Sequence, residues 1–168
     1  TLFDQVELFQ NDNGSVRGAL KSVSEMSYKN NSSAIVLATH GVAVDYNLGF
    51  LMPGLLSSEN GELELITSVQ LEVFDLKNSI VALSACDTAT GFTQRSDQYL
   101  TGFVTGFANA GSEFNIASLW PVISSASKRH TEAFFDGWKK SNLIDGIRRS
   151  KEAVKKILDD LPFVYVYP

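Results

Sequence analysis

Two apolar runs set the pattern of the chain. Ala34-Ile35-Val36-Leu37-Ala38 and Ile80-Val81-Ala82-Leu83 contain no charge, the signature of strands buried on both faces of a sheet. Each stops abruptly, the first at Thr39-His40-Gly41 and the second at Ser84-Ala85-Cys86-Asp87-Thr88, which leads into a polar loop. Around these runs apolar positions recur at helical spacing. Ser15 is placed to cap a helix from Val16 to about Met26, with Val16, Ala19, Leu20, Val23 and Met26 on one stripe. A second helix, Asp97 to Asn109, carries Gly102, Gly106 and Ala110 four apart beside Phe103 and Phe107. Glycine inside a helix costs roughly 1 kcal/mol against alanine, so these glycines predict close approach of the helix to the sheet. Helices Ser124–Lys140 and Leu143–Leu158 turn Ala126, Ala133, Phe134 and Trp138, and Leu143, Ile147, Val154, Ile157 and Leu158, inward.

The remaining segments read as connections and shorter strands. A short strand is expected around Val6 to Phe9, a polar loop from Tyr28 to Ser33, and a turn at Gly41. Leu48–Leu56 and Glu62–Ile66, separated by Ser57-Ser58-Glu59-Asn60-Gly61, predict a hairpin whose Leu63 and Leu65 alternate with Glu62 and Glu64. Thr67 or Ser68 would then cap a short helix to about Asp75 with Val69, Val73 and Leu76 inward. A third sheet strand is expected over Phe114 to Leu119, and a last β-like run over Phe163 to Tyr167. Strands separated by helices, with fully apolar central strands, predict an α/β fold with a mainly parallel sheet covered on both faces. With no repeat and no linker, residues 1–168 read as one domain; the chain begins at Thr1 without a leader pattern and is expected to be a piece of something longer.

Composition narrows the function classes. The chain has 168 residues, 44% hydrophobic and 20% charged, enough for one well-buried core. No apolar run approaches the ~20 residues of a membrane span. The single cysteine cannot form an internal disulfide, which fits a reducing cytoplasm. One cysteine and two histidines do not furnish a structural zinc site. The net charge of −5 speaks against direct nucleic-acid binding. It is uneven: residues 1–127 hold 5 basic and 13 acidic side chains, residues 128–168 hold 9 basic and 6 acidic. The basic excess falls on the last two helices and reads as a solvated face.

The chemistry concentrates where the two apolar runs end. If they are parallel strands, His40 and Cys86 leave the sheet at its carboxyl edge, where open α/β sheets bind ligands. A free cysteine is usually a buried, inert packing residue. The small residues before Cys86 and the polar ones after it instead suit a thiol presented at a strand end. An imidazole beside it would raise the thiolate fraction and protonate a leaving amine. The backbone N–H groups of Gly41 and Cys86 could hold the oxyanion of an acyl-transfer intermediate. His130, four after Ala126 and four before Phe134, reads as a packing residue on an inward stripe.

The blocks Ala38-Thr39-His40-Gly41, Leu83-Ser84-Ala85-Cys86-Asp87-Thr88 and Ser118-Leu119-Trp120-Pro121, with the glycine-containing helix Leu100 to Gly111, resemble CHAT domains in order and spacing. These belong with the caspase-like (clan CD) cysteine peptidases. The resemblance covers roughly residues 34–158. It implies a three-layer α/β/α sandwich, His40 as general base and acid, Cys86 as nucleophile, and cleavage of a protein or peptide substrate without a cofactor. It also implies a bacterial setting and regulation by TPR-type repeats or an activating partner. Two elements depart from the family pattern: Arg95-Ser96-Asp97-Gln98 replaces an acidic-glycine element, and Leu161-Pro162-Phe163-Val164 replaces a His-Pro-aromatic one.

Two other classes stand beside a cysteine endopeptidase. One is a catalytically silent caspase-like domain kept as a protein-interaction module, against which the intact His40/Cys86 pair speaks. The other is a flavodoxin-like or Rossmann-like ligand binder, against which the absence of GxGxxG and P-loop patterns speaks. For the peptidase, residues 41–47 and 87–97 would wall the substrate cleft and are expected to be more mobile than the strands they follow. Candidate substrate-binding charges there are Asp45, Asp87 and Asp97 against Arg95, which predicts basic or neutral P1 residues over acidic ones.

Overall fold

A computed structural model describes residues 15–29, 31–45, 51–84, 102–117 and 124–159. The expected strand at Val6–Phe9, the loop 87–96 and the run Phe163–Tyr167 lie outside the described residues, as do 97–101; the helix expected from Asp97 begins only at Phe103, with Gly102 as its extended N-cap rather than an interior residue. The backbone groups into two compact units, Phe3–Pro121 and Val122–Pro168.

In the first unit, helix α1 spans Val16–Tyr28. Ser15 caps it as the sequence predicts, its Oγ accepting from the Gly18 N–H at 2.9 Å. Strand β1 (Ser33–Ala38) pairs in parallel with β5 (Ser79–Ser84), and β5 with β6 (Phe114–Ile116), giving the order β1-β5-β6. Ile35 and Leu37 stand in register with Val81 and Leu83. All four belong to the core, with Val16, Leu20 and Val23 of α1 and Phe103 and Phe107 of helix α2 (Phe103–Asn109). Ile80 and Ala82, on the other face of β5, are buried as well, as an uninterrupted apolar run requires.

A second sheet, β2-β3-β4, is antiparallel: β2 is Gly41–Asp45, β3 Leu51–Glu59 and β4 Glu62–Thr67. The turn expected at Gly41 is instead the first residue of β2; the chain bends one step earlier, at Thr39-His40. The hairpin is tighter than predicted. Both strands run to a two-residue turn, Asn60 (φ 54°) and Gly61 (φ 80°), the left-handed pair of a type I′ connection. The alternation does not hold at its tip, where Glu62 and Leu63 are both exposed and Glu64 and Leu65 both half-buried. Glu64 faces α1, where Arg17 Nε donates to its carboxylate at 2.8 Å, while Leu63 is 81% exposed. A partner guanidinium on the neighbouring helix lets the carboxylate take the covered face.

The short helix after Ser68 is a 3-10 segment, Val69–Val73. Its period of three turns Ser68, Leu71 and Phe74 inward and leaves Val69 and Val73 exposed, which corrects the expectation for those two, while Leu76 is fully buried as expected. Gly106 of α2 meets this segment rather than the sheet: a Cβ there would lie 2.5 Å from the Ser68 carbonyl oxygen.

The second unit is a helix pair, α3 (Ser124–Lys140) and α4 (Leu143–Asp159). The helices touch at glycines, where a Cβ on Gly137 would come within 2.8 Å of the Gly146 Cα. Phe134 is fully buried, and ion pairs such as Lys140–Asp136 and Arg149–Asp145 lace the solvated faces. The architecture is mixed α/β around a parallel sheet flanked by helices, compatible with a three-layer α/β/α caspase-like fold.

Candidate active site

His40 lies two residues beyond the end of β1, at the passage from the parallel sheet to the antiparallel one. Two backbone-directed bonds moor that passage to β3. The Thr39 hydroxyl donates to the Leu56 carbonyl, and the Leu56 N–H donates to the His40 carbonyl at 2.9 Å. The main chain of His40 is thereby fixed while its imidazole stays exposed. Thr39 is a site residue that the sequence pattern does not single out; a hydroxyl beside a histidine at a strand end is the signal that points to it.

The Leu56–His40 bond also settles the ladder. Antiparallel pairs alternate between hydrogen-bonded and non-hydrogen-bonded, so the next pair, Gly41 opposite Leu55, is of the second kind. The Gly41 N–H therefore points away from β3. Pro53, which has no N–H to donate, stands opposite Ala43, a position the same alternation makes non-hydrogen-bonded. Among the described residues no strand pairs with the outer edge of β2. The segment 41–45, expected as part of a mobile wall, is regular strand.

On the other run, β5 ends at Ser84, the parallel partner of Ala38. Cys86 follows two residues later in sequence, as His40 follows Ala38, and lies outside the described residues. So do Asp87, Arg95 and Asp97. Asp45 is the last residue of β2, and four residues of strand put its backbone about 13 Å from Gly41. His130 lies half-buried on α3, where burial lowers its pKa from the ordinary 6.5.

A parallel strand ending beside a histidine, with an antiparallel hairpin sheet inserted before the next parallel strand, defines a mixed α/β protein with its candidate chemistry at the carboxyl edge. The family model for the CHAT domain matches residues 4–156, and the chain belongs to that family, which is related to the caspase-like cysteine peptidases. No curated protein matches the chain. Among the described residues, no helix is long and apolar enough to cross a membrane.

Proposed function

We propose that the chain is a cysteine endopeptidase domain acting through His40 and Cys86. The observation that carries this reading is the β1–β5 register. Ala38 and Ser84 are side-by-side partners at the carboxyl edge, and each stands two residues before a member of the pair. The outward Gly41 N–H adds a donor that the ladder does not consume.

The chemistry follows from these groups. The Cys86 thiolate attacks the scissile carbonyl, whose oxyanion accepts from the N–H groups of Gly41 and Cys86. Collapse breaks the C–N bond, the His40 imidazolium gives its proton to the departing amine, and a thioester remains. Water, deprotonated by His40, attacks the thioester and releases the carboxylate and the thiol. No step calls for a cofactor. A thiol nucleophile of this kind suits a reducing bacterial cytoplasm, and Asp45, Asp87, Arg95 and Asp97 supply the charges that contact the peptide. Residues 1–168 act as one catalytic domain under the control of a TPR-type region or an activating partner, so the chain alone turns over substrate poorly.

The test is labelling with a peptidyl electrophile that reacts with thiols. The chain is expected to label at Cys86, and His40→Ala to slow labelling by about 10²–10⁴, the usual contribution of a positioned acid–base group. Equal labelling of both proteins, with no cleavage in the presence of any activating partner, would assign the fold to a silent interaction module instead.

A further inference from the structure

The two units carry opposite charge, and the most exposed large aliphatic side chain described in each, Leu63 in the first and Ile144 in the second, stands in a charged setting. On the hairpin, Leu63 is 81% exposed and lines a shallow cleft with Glu59, Asn60, Glu62 and Glu64. Glu64 is held by Arg17; Glu59 and Glu62 are exposed and join no ion pair among the described residues. On α4, Ile144 is 78% exposed. Arg148, Lys151 and Lys155 follow it at four, seven and eleven residues, which sets all four on one side of the helix. Arg148 is occupied by Asp145 and Glu152, whereas Lys151 and Lys155 are exposed and unpaired among the described residues.

Neither surface can pair with its own kind. Hairpin against hairpin would set Glu59 and Glu62 against like carboxylates, and α4 against α4 would set ammonium groups together. The combination that brings opposite charges around two covered aliphatics is hairpin against α4. We propose that copies of this chain associate head to tail, the hairpin cleft of one seating the Ile144–Lys155 face of α4 from the next. The occupant is a second copy because both halves of the complement stand on this one chain, in chemistry that needs no other molecule. A contact of a hairpin tip with three turns of helix falls below the ~1,000 Å² of a stable interface, so the association is weak and strongly salt-dependent. Being heterologous, it leaves one surface of each kind open at the ends of any non-closed assembly. This inference is independent of the peptidase reading.

Sedimentation velocity tests it. At low salt the average sedimentation coefficient should rise with concentration, and it should fall to that of the monomer at about 1 M salt, where the Debye length is ~3 Å. Glu62→Lys and Lys151→Glu, both at exposed positions, should each weaken association at least about tenfold. Mixed together, the two variants should regain association with each other, because each hairpin then meets an α4 face of opposite charge on the other variant. The double variant E62K/K151E should regain association. A wild-type chain that stays monomeric at low salt, association indifferent to both substitutions, or a mixture that fails to associate would overturn the proposal.

Discussion

His40 illustrates how a side chain can be left free by tying down everything next to it. Its carbonyl accepts from the Leu56 N–H, and the preceding Thr39 hydroxyl donates to the Leu56 carbonyl, so the backbone cannot swing with the imidazole. Replacing Thr39 by valine keeps the shape and removes one bond of about 0.5–1.5 kcal/mol. The expected result is a drop in the Cys86 labelling rate of up to about tenfold with far-ultraviolet dichroism unchanged; an unaltered rate would show that the mooring does not position the imidazole. His130 poses a different question, because its exposure is limited and burial lowers its pKa below 6.5. The unfolded chain then binds a proton that the folded one refuses, so stability is greatest above pH 6.5 and falls as the pH drops through it. Asp136 and Asp145, lowered from 3.8 chiefly by hydrogen bonds from Lys140 and Arg148, act in a separate window and lose their contribution only as the pH falls below that value. Urea midpoints at about pH 7.5 and about pH 5.5 should therefore converge in His130→Gln relative to the wild type.

At the level of elements, the glycine of α2 decides how closely a helix can lie on its neighbour. A Cβ at Gly106 would sit 2.5 Å from the Ser68 carbonyl oxygen, which is backbone and cannot rotate away. Gly106→Ala should cost about 1–3 kcal/mol, read as a lower urea midpoint at unchanged slope. The sequence signalled this contact through the cost of a helical glycine but not its address. Periodicity reports which face is buried and is silent on what covers it. The same limit explains the other departures. Leu63 and Leu65 alternate with glutamates, and the position of Arg17 on α1, 47 residues away, is what draws Glu64 to the covered side while Leu63 stays in solvent. Val69 and Val73 fit an α-helical stripe as well as Ser68, Leu71 and Phe74 fit a 3-10 one, and a five-residue window is too short to separate periods of 3.6 and 3.0. Where the signal was long or chemically specific it was legible: the Ser15 cap, the β1 and β5 cores, and both long helices stand where the pattern put them. Of the candidate site, the strand end at His40 was legible. The bend was misplaced by one residue, because Gly41 reads as a turn former although here it opens a strand.

For the molecule as a whole, charge is segregated along the chain. Residues 1–127, which include the candidate site, hold 13 acidic side chains against 5 basic ones. A field of that sign raises the local concentration of cationic peptides and depletes anionic ones. In a P1-varied peptide library, run with an activating partner where one is needed, basic or neutral residues should lead, with the advantage of cationic peptides shrinking as salt rises. Dominant cleavage after Asp or Glu would shift the specificity to Arg95 or another cation. The bond that closes the joint between the two sheets gives this chain something more practical. The Leu56 amide proton is committed to the His40 carbonyl, so its exchange with deuterated solvent clocks how often the histidine's main chain comes loose. The exchange rate of that one amide thus reports in solution, with no substrate present, how firmly the His40 main chain is held.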